Sequence, residues 1–127
     1  MEHIVILKRK YLDLIISGKK TIESRWAMNK IVPYHKVNIG DVLYLKETGK
    51  DVCAKAIVSD VKFFELNRDI VDDIIDKYGD KICINKNNKE RYNKKYCTLI
   101  WVDKVERIKP FSVRRSFGTA WMIYTSK

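Results

Sequence analysis

The sequence is dominated by short apolar runs rich in β-branched residues, and this feature most restricts the fold. Five runs have the composition of β-strands, at residues 3–7, 42–46, 52–64, 96–102 and 120–124. A sixth, 19–26, alternates charged and apolar residues. With 127 residues, the chain has the length of one domain. We expect a single α+β domain over 1–127, a small closed or partly open β-barrel of five or six strands.

Two stretches have the spacing of amphipathic helices and are expected to flank the barrel. The first covers residues 9–17 and ends at Gly18. The second begins at Asn67 or Asp69, which can act as N-caps, and is predicted to end at Gly79.

Three other segments interrupt the regular pattern. Residues 27–38 predict a loop, and residues 80–95, rich in Lys and Asn, predict a flexible basic excursion or a short helix. Pro110 predicts the end of the long strand that starts at Tyr96.

Charge and cysteine content narrow the class of partner. The 26 Lys and Arg outnumber the 16 Asp and Glu, for a formal charge of +10, which favours nucleic acid or another polyanion. Cys53, Cys83 and Cys97 are widely spaced and form no CxxC pair, so neither a disulfide framework nor a zinc site is predicted. We expect no metal and no cofactor.

Nothing in the apolar pattern predicts association with a membrane. Residues 1–10 lack the apolar core of a signal peptide, and no run of about 18 apolar residues occurs. We therefore expect a cytoplasmic protein.

The most specific pattern follows the first helix. Gly18, Lys20, Glu23 and Arg25 form a Gly-x-Lys-x-x-Glu-x-Arg sequence. If residues 19–26 are one strand, Glu23 and Arg25 share a face with Thr21, and Lys20 lies on the opposite face. Lys20 is a mobile charge suited to phosphate or catalysis, and Arg25 offers a planar donor fork that Glu23 can orient. A solvated, salt-bridged strand surface without a ligand is the alternative.

This pattern resembles the signature of the ASCH family, in which an amphipathic helix precedes Gly-x-Lys-x-x-Glu-x-Arg. The turn 40–42 before the next strand also matches, so the resemblance covers residues 3–46, and beyond them only strand order matches. It implies a PUA-like β-barrel whose cleft is lined by Lys20, Glu23 and Arg25, with a role connected to RNA.

Aromatic and basic residues near the motif extend the candidate site. Trp26 is the best candidate to stack a base, whereas Trp101 and Trp121 fit core positions. Arg114 and Arg115, beside Phe117, form a second basic cluster. The ligand-binding or nucleic-acid-binding candidates are therefore Lys19, Lys20, Glu23, Arg25, Trp26, Arg114 and Arg115, and Lys20 and Glu23 are also the catalytic candidates.

Several functions remain open at this point. The leading hypothesis is a module that binds RNA or a nucleotide-like ligand in the basic cleft. The resemblance also implies an alternative, because one branch of the family removes the acetyl group from acetylcytidine with the motif lysine. That branch has threonine where this chain has Glu23, and it needs a later carboxylate. Its candidates by region are Glu65, Asp69, Asp72 and Asp73.

A ribonuclease using Lys20 and a module that binds protein are two further hypotheses. His3 is expected in a buried strand and His35 in a loop, so a histidine acid-base pair is not predicted. Whether the protein is an enzyme, and its oligomeric state, are left open by the sequence.

Overall fold

The computed structural model describes residues 1–84, 87, 89–114 and 119–125, with Lys89 described through its backbone only. Six strands and two α-helices make up this part of the chain. In order they are β1 (Glu2–Leu7), α1 (Arg9–Ile16), β2 (Ile22–Ala27), β3 (Val42–Glu47), β4 (Val52–Glu65), α2 (Arg68–Ile82), β5 (Tyr96–Phe111) and β6 (Trp121–Tyr124), with a 3-10 turn at Lys89–Tyr92.

All six strands form one curled sheet in the order β2-β5-β4-β3-β1-β6. Only β1 and β3 pair in parallel, and every other neighbouring pair is antiparallel. The long β4–β5 pair has three register shifts, and such bulges increase the bend and twist of a sheet. The sheet therefore curls into a half-barrel, which confirms the predicted α+β, PUA-like small barrel with two helices.

The principal core lies inside the curl and follows from strand alternation. Val5, Leu43, Leu45 and Ala56 are fully buried there, and Leu12 of α1 covers them. Each fully buried Val or Leu side chain contributes about 1.5–3 kcal/mol. A second cluster packs α2 against β2 and β5 and contains Ile22, Ile74, Ile82, Cys97 and Leu99.

Two helix boundaries have the predicted chemistry. Gly18, at φ 83°, ends α1 in a conformation that favours glycine. The Asn67 side chain caps α2 by accepting a hydrogen bond from the backbone N–H of Ile70 at 2.9 Å.

The predicted end of α2 at Gly79 is wrong. The helix continues to Ile82 and ends at Cys83, at φ 60°. A glycine inside a helix costs about 1 kcal/mol, and burial of Ile82 in the second core cluster outweighs that cost.

The predicted break at Pro110 is also wrong, because β5 runs on to Phe111. Its β2 neighbour pairs only with residues 96–101, so the later part of β5 has one open edge. Proline is tolerated at such an edge because its missing N–H leaves no ladder bond unmade there.

Among the described residues, no helix is both long and apolar enough to cross a membrane.

Candidate functional site

Lys20 enters the site through a turn rather than through a strand. Strand β2 begins only at Ile22, and the Lys20 backbone N–H donates to the Leu14 carbonyl at 3.0 Å. Strand alternation therefore does not apply to Lys20, and its predicted place on the face opposite Glu23 is wrong. Its Nζ lies 3.3 Å from Glu23 Oε1, and the lysine is 3% exposed.

The C-terminus of α2 supplies the second partner of Lys20. Nζ donates a hydrogen bond to the carbonyl of Ile82, the last residue of the helix. Carbonyls in the last turn of a helix lack intrahelical partners and carry the negative end of its dipole. This contact explains why a lysine is stable in a buried position.

Glu23 is held by cations on both carboxylate oxygens. Oε2 accepts from Arg25 Nε at 3.0 Å and Nη2 at 2.7 Å, while Oε1 accepts from the Ser24 backbone N–H at 3.2 Å and faces Lys20. Burial by itself raises the pKa of Glu23, but the charges and hydrogen bonds of Arg25 and Lys20 together lower it below its usual range. Glu23 is therefore an ionised residue that orients its two neighbours.

Arg25 connects the two edges of the curled sheet. From β2 its Nη1 donates to the Ala120 carbonyl just before β6, and its Nη2 donates to the Ile6 carbonyl on β1, both at 3.3 Å. Its guanidinium also lies 5.2 Å from the centroid of the Trp121 ring. The planar fork predicted to bind a ligand thus directs two of its five N–H donors to Glu23 and two across to the opposite edge of the sheet.

These residues open onto a cavity of about 450 Å³, called here the first cavity. Among the described residues, its charged lining is predominantly basic and consists of Lys8, Lys20, Arg25, Arg91 and the carboxylate Glu23. Its aromatic lining consists of Tyr11, Trp26 and Tyr92. A pocket of this size suits a ligand of about one nucleotide.

Trp26 lines the first cavity, but part of its surface is already covered. Its ring packs on Tyr92 at 5.0 Å between centroids, and its Nε1 donates to Ser24 Oγ at 2.9 Å. Exposed Arg91, also in the lining, donates to the Tyr11 hydroxyl at 3.0 Å and lies over the Tyr11 ring. The cavity thus has aromatic walls with an arginine at its mouth.

The structure does not bring all the predicted residues together. Lys19 is exposed and does not line the first cavity, and Arg114 is exposed in the segment after β5, away from its lining. Arg115 lies outside the described residues. Trp121 is 3% exposed and occupies a core position as expected, whereas Trp101 is half-buried at the margin of the second core cluster, edge-on against Tyr78 of α2.

Several lining residues are not predicted by the sequence, among them Lys8, Tyr11, Arg91, Tyr92 and Thr119. The spacing of residues 9–17 places Tyr11 on the apolar face of α1, and Arg91 falls in the segment predicted to be a flexible basic excursion or a short helix. One signal was available, because Arg91 and Tyr92 form the only Arg-aromatic pair in a segment otherwise rich in Lys and Asn.

Neither histidine lies in the first cavity. Buried His3 contacts Asp41 Oδ2 through Nε2 at 2.8 Å, and its Nδ1 accepts from Trp121 Nε1 at 3.1 Å. His35 packs on Phe63 at 4.3 Å between ring centroids. Within the described ranges, no three His, Cys, Asp or Glu side chains are grouped as metal ligands.

The acidic candidates for the hydrolase reaction also lie elsewhere, and Cys97 is buried in the second core cluster. None of Glu65, Asp69, Asp72 and Asp73 lines the first cavity, and Asp73 lines a groove on α2 with Lys62 and Tyr78. Burial raises the pKa of the Cys97 thiol far above its usual range, which is typical of an inert structural cysteine.

A six-stranded curled sheet, two helices and a basic cavity at the closing edge define an α+β protein of the PUA-like small-barrel class. The structure is similar to the crystal structure of an ASCH protein from Zymomonas mobilis, with a TM-score of 0.76 and 16% identity over 98% of this chain and 88% of the other. A Ser-to-Ala variant of that protein gives the same TM-score and identity, over 98% and 89% of the two chains. The chain therefore has the ASCH-domain fold, as its motif predicted.

A hypothetical protein is similar at a lower level, with a TM-score of 0.52 and 16% identity over 85% of this chain and all of the other. No protein-family model matches the sequence, and no curated protein matches it.

Proposed function

We propose that this ASCH-fold domain, spanning residues 1–127, is a cytoplasmic module that binds RNA by holding one nucleotide in the first cavity. The observation that carries the proposal is the charge of the described lining, which contains four basic residues and one carboxylate. That carboxylate is already bound by Lys20 and Arg25. The remaining positive charge favours a phosphate-bearing ligand.

The lining residues differ in exposure, and we expect the exposed and the buried ones to contact different parts of the ligand. Lys8 and Arg91 are exposed at the rim, where they can meet phosphate without loss of an internal ion pair. Lys20 is deeper and engages Ile82 and Glu23, which leaves one ammonium hydrogen for a ligand. Tyr11 and Trp26 supply aromatic surface for a base, and such stacking contributes about 1–3 kcal/mol per base.

The salt dependence of RNA affinity tests this proposal. We expect Arg91→Gln to weaken binding to single-stranded RNA, and to reduce the slope of log affinity against log salt by about 0.7, the value for one phosphate contact. Arg68→Gln, which removes an exposed arginine at the start of α2, is the matched control and should leave the slope unchanged.

Equal slopes for wild type, Arg91→Gln and Arg68→Gln would contradict the proposal, because RNA would then bind through the general surface charge. The same titration is read by fluorescence anisotropy with a short labelled single strand at several salt concentrations.

Removal of acetyl groups from acetylcytidine is the second candidate, favoured by the position of Lys20 in the wall of a nucleotide-sized cavity. The described lining lacks the further carboxylate that this chemistry needs, because Glu23 is its one acidic residue. Mass spectrometry of an acetylcytidine-containing RNA, incubated with wild type or Lys20→Arg, separates the two. Loss of the acetyl group with wild type alone would establish the hydrolase, and an unchanged RNA supports the binding module. Cleavage of the strand in the same sample would identify a ribonuclease.

A further inference from the structure

A second cavity, of about 410 Å³, adjoins the first. The two cavities share four lining residues, Arg25, Trp26, Thr119 and Ala120. The hydrogen bond from Arg25 to the Ala120 carbonyl therefore belongs to the wall between them. A ligand that fills both cavities must pass along this wall.

The second cavity differs in its chemistry from the first. Arg25, in the shared wall, is the one charged residue of its described lining. The rest is apolar or hydroxylated and includes Tyr34, Tyr96 and Thr98, with the two tyrosine rings 5.0 Å apart. Such a lining suits an uncharged planar ring with polar edges and does not suit a phosphate.

Arg25, in the wall shared by the two cavities, can offer a hydrogen-bond donor to a phosphate group that joins two nucleotides. Arginine has five N–H donors. Nε donates to Glu23, and the two Nη2 hydrogens go to Glu23 and to the Ile6 carbonyl. One Nη1 hydrogen goes to the Ala120 carbonyl. No described residue accepts the second Nη1 hydrogen, and this guanidinium lines both cavities. Outside the second cavity, Lys30 Nζ lies 5.7 Å from the Tyr96 ring, so a further cation is close to this path.

We propose that the ligand unit is two consecutive nucleotides, with one in the first cavity and the base of its neighbour in the second. The phosphodiester between them lies against Arg25. The volume of each cavity suits about one nucleotide. The lining matches the chemistry of an RNA strand, with basic side chains where the phosphates would lie and aromatic side chains where the second base would lie. This inference rests on the proposed function and specifies its substrate as a dinucleotide step of single-stranded RNA.

Dinucleotides with one base removed test the proposal at constant phosphate charge. The probes are the four 5′-phosphorylated homodinucleotides, together with both abasic versions of each, in which the first or the second base is missing. We expect the best intact dinucleotide to bind about tenfold more tightly than either abasic version, since one stacked base contributes about 1–3 kcal/mol. An abasic version that binds as tightly as the intact dinucleotide would overturn the proposal, because one base would then suffice.

A matched pair of variants assigns the second base to its cavity. Tyr96→Leu removes an aromatic ring from the second cavity, whereas Tyr124→Leu removes an equally half-buried tyrosine from the cluster on the other face of the sheet. We expect Tyr96→Leu to reduce dinucleotide affinity about tenfold and to leave mononucleotide affinity unchanged, with Tyr124→Leu close to wild type in both. Circular dichroism checks that both variants are folded.

The outcomes separate this inference from the function on which it rests. Mononucleotides that bind as tightly as dinucleotides would overturn the two-nucleotide proposal and keep the first cavity as a nucleotide site. If neither mononucleotides nor dinucleotides bind, both proposals are wrong.

Discussion

The Glu23 carboxylate is buried between a lysine and an arginine, and its contacts define what single residues do in this site. Both of its oxygens accept hydrogen bonds or face a cation. A carboxylate in that state is a poor proton acceptor, because protonation would break the contacts that hold Lys20 and Arg25 in place. We therefore assign Glu23 as a positioning residue, in contrast to the catalytic role that the sequence left open for it.

The pH dependence of protein stability should reveal the positioning role of Glu23. The folded-state pKa of Glu23 is lowered, so its stabilisation is complete above the unfolded-state pKa, about 4.3, and is lost as pH falls through the folded value. We expect Glu23→Gln to lose about 3–5 kcal/mol of stability at pH 7, because Lys20 and Arg25 are left uncompensated. Below pH 4.3 the stability of the variant should fall less steeply than that of wild type.

Urea unfolding between pH 3 and pH 7 measures both effects. Asp41, whose pKa is also lowered by net interaction with its neighbours, is retained in the variant and gives both proteins a residual acid slope. Parallel pH profiles for wild type and Glu23→Gln would contradict the assignment of an ionised, doubly paired Glu23.

At the scale of secondary-structure elements, the end of α2 has two functions. Its last carbonyl, at Ile82, receives Lys20, and the next residue, Cys83, ends the helix at φ 60° and lines the first cavity. Helix termination and placement of the cavity lysine therefore depend on the same two residues. This dependence was invisible in the sequence, where Gly79 was the expected helix end.

The conformation of Cys83 predicts a stabilising substitution. A left-handed conformation costs a non-glycine residue about 1–2 kcal/mol, so Cys83→Gly should raise the free energy of unfolding by about 1 kcal/mol. Gly49→Ala is the opposite control, because Gly49 has φ 78° and open space around an added Cβ, and it should lower stability by a similar amount. Both are measured by urea unfolding with an unchanged m-value.

A loss of stability in Cys83→Gly would mean that the contacts of the Cys83 thiol with the carbonyls of Lys19 and Asp80 outweigh the backbone cost.

At the scale of the whole molecule, Arg25 links β2, one edge strand of the sheet, to the backbone at the other edge, at Ile6 of β1 and at Ala120 just before β6. Strand β2 and strand β6 are the two edges of the curled sheet, and Arg25 donates across the gap to Ala120 and Ile6. Because the same guanidinium separates the two cavities, closure of the barrel and division of the site come from one side chain.

Replacing the planar guanidinium of Arg25 by the single ammonium group of lysine should weaken the contact between the two edges of the sheet. We expect Arg25→Lys to retain the charge but lose at least one of these hydrogen bonds, each contributing about 1.5–3 kcal/mol. Amide hydrogen exchange in Trp121–Tyr124 should then accelerate by about tenfold or more relative to β4, because β6 is a four-residue edge strand. Arg107→Lys, at an exposed position of β5, is the control and should leave the amide exchange of both strands unchanged. Unaltered exchange of β6 in Arg25→Lys would contradict the role of Arg25 in closing the sheet.

Local sequence patterns predicted secondary structure correctly wherever the conformation of a segment depends on its own residues and their near neighbours in sequence. The strand alternation of residues 52–58, the cap at Asn67 and the turn at Gly18 all depend on neighbours in sequence, and all three are confirmed. The Gly-x-Lys-x-x-Glu-x-Arg pattern also named Lys20, Glu23 and Arg25, which the structure brings together in the lining of the first cavity. Gly79 and Pro110 misled because burial of Ile82 and the open edge of β5 are tertiary facts.

The sequence by itself therefore determined the strands, the two helices, the family resemblance and the residue types of the site, because these follow from periodicity and short-range chemistry. Only the tertiary structure decided that Lys20 meets Glu23 and a helix C-terminus, that Tyr11 and Arg91 from distant segments complete the first cavity, and that Arg25 divides it from a second. Those facts depend on how the sheet curls until its edges meet, and curling is the sum of many small twists and bulges that no local pattern specifies.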